Sequence, residues 1–292
     1  MVGVTTSSRN QAESLLGAFA RIYRRDTAED LAEAFVTDQL VQVQLNLSSL
    51  GYPTIPDAEQ LTTIDTGAIR AAFDLRGRVI WGVSATYNTA HPDPAVRAAD
   101  TAKAAEFIVG LRALEPVAAT LCTGTRDPNN MWRAHPDNNS SAAWADLRQS
   151  LDVLLPAAAE AGILLGIEPE PGNVIAGTAQ AQRLLDELGH DAVHVGIILD
   201  PANLVGASPL DQYEHILTEA FTRLGDKAIC VHAKDTQAWA ETLQGGPGVD
   251  YRLVYRLYEA LPARVPVIIQ DATEEELPKV RDWLLAQRAI AQ

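Results

Sequence analysis

Four apolar runs in the second half of this 292-residue chain each reach a polar side chain at nearly constant intervals. They are ILLGIE (163–168), HVGIILD (194–200), AICVHA (228–233) and VPVIIQ (265–270). Their polar residues, Glu168, Asp200, His232 and Gln270, are 32, 32 and 38 residues apart, each step close to one strand–loop–helix–loop unit. Short runs that are apolar on both faces read as parallel strands covered by helices rather than as half-exposed hairpin strands. Four earlier runs continue the series: VGVTT (2–6), LVQVQLNL (40–47), RVIWGVSATY (78–87) and PVAATLC (116–122). Between the runs lie one-sided helical stretches at 27–36, 93–114, 141–161, 178–188, 210–224, 249–261 and 273–289. Thr27 and Asp30 open the first as a capping box. Eight such units in under 300 residues predict a single-domain α/β protein, a (β/α)8 TIM barrel over residues 1–292. A doubly wound open sheet is the alternative.

Composition narrows the function. The chain is 47% hydrophobic and 21% charged, as soluble domains are, and no apolar stretch approaches the length of a membrane span. Its first residues, MVGVTTSSRN, lack a basic-then-apolar secretion signal, so a cytoplasmic protein is expected. A formal charge of −15 argues against nucleic acid, which demands a basic surface. Cys122 and Cys230 sit in apolar runs and read as buried free thiols.

Long loops follow the strand candidates at 88–93, 123–140 and 236–248, where a barrel keeps its active site. Glu168, Asp200, His232 and Gln270 come at the same phase of successive units, and so converge on that face. Taken singly, each has a structural explanation: a solvated strand end, an Asp-Pro turn, a core histidine, a loop amide. Together they form an oxygen-rich set with one imidazole, suited to Mn²⁺, Mg²⁺ or Co²⁺ rather than to a thiolate-seeking ion. The run GIEPEPGNV (166–174) adds Glu170 on the same side as Glu168, with prolines that stop the strand.

AAEAGILLGIEPE, IILDPANL, AICVHAKD and VPVIIQD together resemble the xylose isomerase-like TIM barrels, the sugar isomerase and epimerase superfamily. The resemblance runs from about Gln42 to the last helix. It implies one divalent cation (Mn²⁺ first, with Mg²⁺, Co²⁺ or Zn²⁺ as alternatives) held by Glu168, Asp200, His232 and Gln270. Two positions depart from the pattern. Gln270 stands where the superfamily usually has glutamate, and Asn203 stands where histidine is frequent. Epimerases of this kind use the first and last glutamates as bases on opposite faces, and an amide cannot accept a proton at neutral pH.

The expected activity is therefore metal-dependent proton abstraction beside a carbonyl of a sugar, keto-sugar or cyclitol: an isomerase or epimerase. A lyase or hydratase acting on a 3-keto-sugar or keto-glycoside is the alternative. Glu168 or His135 is the expected base. Arg126, Trp132, Glu170, Asn203 and Lys234 are the expected substrate-binding groups, with Trp132 stacking on a sugar C–H face. His135 could equally be only the turn that leads into the helix at 141–161. A small carbohydrate is the expected partner, with a homo-oligomer or a partner subunit as the assembly. An endonuclease of the same fold needs more histidines and a positive surface, and a non-catalytic barrel would bind no metal.

Overall fold

The computed structural model describes residues 13–291. Eight parallel strands close into a barrel in sequence order. They are β1 (Leu16–Phe19), β2 (Gln42–Leu45), β3 (Val79–Ser84), β4 (Ala118–Leu121), β5 (Leu164–Ile167), β6 (Val195–Leu199), β7 (Ala228–Ala233) and β8 (Val267–Ile269). Pairing of β1 with β8, Gly17 opposite Ile268, completes the ring and excludes an open sheet. The main helices are α1 (Ala28–Thr37), α2 (Thr66–Asp74), α3 (Pro94–Gly110), α4 (Ser141–Ala161), α5 (Thr178–Leu188), α6 (Tyr213–Leu224), α7 (Tyr251–Glu259) and α8 (Leu277–Ala291). They pack their apolar faces on the outside of the strands in one continuous core. None of the described helices is long and apolar enough to cross a membrane.

Local chemistry sets the helix ends. Thr27 caps α1 by accepting from the Asp30 N–H, and Ser140 caps α4 by accepting from that of Ala143. Thr273 and Glu276 exchange bonds ahead of α8, a reciprocal cap that leaves the regular helix to begin at Leu277. Strands β2 to β8 fall within the expected runs. The first strand does not. VGVTT lies outside the described residues, and β1 is formed by LGAF at Leu16–Phe19. Gly17 is what lets β1 join, because a Cβ there would sit 1.9 Å from the Gln42 carbonyl oxygen on β2. The sequence pattern also misses Ala58–Thr63 and α2, short helices started by Asp57 and Asp65.

Side chains directed into the barrel form two layers. The lower one is apolar: Trp81, Ile198, Cys230 and Ile268 make a small separate cluster, joined by Phe19 and Ile229. Two residues further along β6, β7 and β8 stand Asp200, His232 and Gln270, since alternate residues of a strand share a face. Both cysteines are buried and free.

The close approach at Gly17 predicts that Gly17→Ala destabilises the protein by about 1–3 kcal/mol or more, through forced displacement of β1 from β2. Urea unfolding measures this, and an unchanged midpoint would contradict the β1–β2 packing described.

Candidate active site

Glu168 directly follows β5. Pro169 and Pro171 have no N–H to continue the sheet, so the chain turns away at the barrel rim. The turn is tied down by Glu170 N–H to the Ile175 carbonyl at 2.9 Å and by the Asn173 amide oxygen accepting from Gly124 N–H at 2.9 Å. Asp200 directly follows β6 and starts the short helix Pro201–Val205, its Oδ1 accepting from Asn203 N–H at 3.0 Å. That bond consumes one carboxylate oxygen and aims the other inward. His232 lies within β7 and is fully buried. The β6–β7 register pairs Leu199 with Val231, which puts Asp200 beside His232.

The three groups meet. Each offers one donor atom, and these atoms lie within 4.8 Å of one another, a geometry able to hold a metal ion. His232 Nδ1 is 3.2 Å from Glu168 Oε1 and 3.9 Å from Asp200 Oδ2. Asp200 Oδ2 and His232 Nδ1 are also buried without a hydrogen-bond partner. Leaving such atoms unpaired costs about 1–3 kcal/mol each, and a cation between them could offset that cost. The donor set, two carboxylates and an imidazole, fits a divalent ion of intermediate hardness.

Charge at the site is unbalanced in the same sense. Glu168, Glu170 and Asp200 face the ammonium of Lys234, whose Nζ is 3.6 Å from Asp200 Oδ2 and 3.9 Å from Asp271 Oδ2. Burial raises the pKa of Glu168, with Lys234 opposing. Burial, and then the Glu168 charge, push Glu170 up to about 7. Burial carries Asp200 to about 6 against the pull of Lys234. Burial drives His232 down to about 4, which favours the neutral imidazole. For Lys234 burial acts downward, but the carboxylates around it, Asp200 first, outweigh it and raise the pKa. Asn203 donates from one amide nitrogen to Glu168 Oε1 and Glu170 Oε2, both at 2.8 Å, locking the two glutamates together.

Above the cluster opens a cavity of about 520 Å³, within the range of small-molecule sites. Glu168, Glu170, Lys234, Gln270 and Asp271 form one wall; Gln44, Asn46, Ser84, Thr86 and Thr120 form a hydroxyl- and amide-rich one; Phe19, Met131 and Trp132 add apolar surface. Trp132 is half exposed at the rim. Its loop presses on the GIEPEPGNV turn so closely that a Cβ on Gly172 would meet the Trp132 carbonyl oxygen at 2.5 Å.

Of the sequence-derived residues, Glu168, Asp200, His232, Glu170, Asn203 and Lys234 are brought together, and Trp132 stands at the rim. Gln270 reaches the cavity with its amide nitrogen 3.1 Å from His232 Nε2, the ring nitrogen other than the one facing Glu168 and Asp200. The register explains the offset: His232 pairs with Ile268, so Gln270 lies two residues beyond and reaches back. His135 and Arg126 do not line the cavity. The His135 ring accepts from Asp137 N–H at 3.2 Å and caps the turn Pro136–Asn139. Arg126 pairs with Asp146 Oδ2 at 2.5 Å and donates to the Ala90 carbonyl at 3.2 Å, bracing the loop against α4. Gln44, Asn46 and the hydroxyls of the opposite wall were not singled out in the sequence. Their signal was the polar alternation Gln42, Gln44, Asn46 in an otherwise apolar run.

The fold and the site together define a (β/α)8 barrel with a carboxylate–imidazole cluster at the C-terminal ends of its strands. Residues 45–285 match the xylose isomerase-like TIM barrel family, and the chain belongs to it. Comparison with curated proteins finds none that matches. Among solved structures, a 3-keto-D-glucoside 4-epimerase from E. coli is similar at TM-score 0.72 and 15% identity, covering 93% of this chain and 99% of that one. An L-ribulose 3-epimerase gives 0.72 and 13%, covering 94% and 95%. A D-psicose 3-epimerase from Clostridium cellulolyticum H10 gives 0.64 and 13%, covering 94% and 96%. At these identities the likeness is one of fold.

Asp146 also pairs with the buried Arg97 at 2.7 Å, so Asp146→Ala leaves that charge unpaired and should cost about 3 kcal/mol. His135→Ala, the loss of a half-exposed cap, should cost less than about 1 kcal/mol. Thermal unfolding of the two variants tests this ordering, and the reverse order would mean that the loop is held by His135.

Proposed function

We propose that this protein is a cytoplasmic, divalent-metal-dependent isomerase or epimerase acting beside a carbonyl of a sugar, keto-sugar or cyclitol. The observation that carries the reading is the convergence of Glu168, Asp200 and His232, two of whose buried atoms lack a hydrogen-bond partner, beneath a polyol-compatible cavity lined by Glu168. The sugar epimerases among the structural neighbours support it. Glu168, Asp200 and His232 would hold the metal, Mn²⁺ in the first instance, and leave room for substrate oxygens. Bound there, a divalent cation would stabilise the negative charge that develops on a sugar oxygen as the neighbouring C–H proton leaves.

The chain's own groups divide the remaining work. Glu168 takes and returns the proton, Asn203 holds it in register with Glu170, and Lys234 offsets the local negative charge. Ser84, Thr86 and Asn46 face the substrate hydroxyls, and Trp132 covers a sugar C–H face. His135 and Arg126, engaged in holding their loop, take no part in this scheme. Gln270 stands at the fourth position as a neutral amide, so the second base of a symmetric two-base epimerisation is missing there. That asymmetry carries a second reading, a lyase or hydratase on a 3-keto-sugar or keto-glycoside, in which a single base suffices.

Metal-stripped protein supplied with Mn²⁺ is expected to take up one ion per chain and to turn over a keto-sugar. Full turnover without metal would sink the proposal. In D₂O, NMR of the product separates the two readings: deuterium at a retained carbon with unchanged formula marks an isomerase or epimerase, whereas an unsaturated or cleaved product marks the lyase. Glu168→Gln should lower turnover at least about 100-fold in either case.

A further inference from the structure

We infer that Gln44, on β2, is a positioning residue that fixes the tautomer of His232 and so presents Nδ1 as the donor atom of the cluster. The inference rests on the metal-binding reading above and deepens it. Gln44 is 3% exposed, and its side chain crosses the barrel interior to β7. Gln44 Oε1 lies 2.9 Å from His232 Nε2, while the Gln44 amide nitrogen is 3.2 Å from Thr120 Oγ1. A histidine that ligates a cation does so as a neutral imidazole, in which one ring nitrogen carries the hydrogen and the other a lone pair. Nδ1 faces Glu168 and Asp200 and has no hydrogen-bond partner. With Nε2–H donated to Gln44 Oε1, the lone pair is on Nδ1, where a cation held by those carboxylates needs it. In the opposite tautomer the lone pair would point at Gln44 and the Nδ1 hydrogen would occupy the metal's place.

Gln270 enters through the same atom. Its amide nitrogen is 3.1 Å from Nε2, which cannot both donate to Gln44 and accept from Gln270. An Nε2–H therefore requires the Gln270 amide to turn its oxygen inward. The two ends of an amide have nearly the same shape, so the turn needs no extra room. Two neutral glutamines, one on β2 and one just after β8, then share one N–H, and each acts on the cluster through His232.

The test uses full-length protein, Zn²⁺ as a diamagnetic probe and a chromophoric chelator as competitor. Gln44→Leu removes the acceptor and is expected to weaken Zn²⁺ binding about 10–100-fold, whereas Gln44→Glu, which can only accept, should stay within about threefold of wild type. Nitrogen-15 NMR of metal-free wild type at neutral pH should show His232 protonated on Nε2, and Gln44→Leu should shift it toward Nδ1. Wild-type His232 protonated on Nδ1 would overturn the inference, as would a folded Gln44→Leu variant that binds Zn²⁺ as wild type does. If Gln44→Leu does not fold, the wild-type tautomer and the Gln44→Glu affinity decide. Wild type that takes up no Zn²⁺ would defeat the metal reading, while the tautomer remains measured independently.

Discussion

Removal of water from Glu168, Asp200 and His232 is the constraint on which the rest of the site depends. Buried carboxylates resist ionisation, and a buried imidazole resists protonation. The surroundings meet this only in part. Lys234 supplies one positive charge, Asn203 two donated bonds, and the Asn203 backbone N–H a third to Asp200. What is left over is negative charge and two atoms aimed at a common point. A core under selection for stability alone would bury apolar side chains here, as it does one layer below.

The scaffold holds that arrangement by rigid means. Glu168 and Asp200 come one residue after a strand, where the backbone is still set by sheet pairing, and proline follows each of them. Loops after β4 and β5 brace each other through Asn173 and the Gly172 contact, and Arg126 with Asp146 anchors the first of these to α4. Residues with polar side chains in the β4 loop thus serve mainly to shape the wall that carries Trp132.

Much of this was legible in the sequence, for identifiable reasons. Strands β5 to β8 are buried on both faces, so they read as apolar runs, and the barrel repeat imposed the spacing that singled out Glu168, Asp200 and His232. β1 was not legible: LGAF is short, and its place depends on the absence of a Cβ at Gly17, a contact with β2 that no local pattern encodes. α2 was missed because its apolar face, Ile69, Ala72 and Phe73, is too short to show a period. By residue type His135 looked like a base and Arg126 like a substrate-binding group. Their employment as a cap and a brace depends on where Asp137 N–H and Asp146 lie in space. Gln44 escaped notice for the opposite reason, since its chemistry exists only beside a histidine 188 residues away.

The apolar layer of Trp81, Ile198, Cys230 and Ile268 has a consequence for traffic. It stoppers the barrel beneath the cluster, so everything that reaches His232 must pass the rim where Trp132 stands. Cation and sugar would share one doorway, with the cation's seat the deeper of the two. On the proposed function, loading would then be ordered by topology: the ion would enter first, the bound sugar would shut it in, and exchange of the ion would wait on departure of the product.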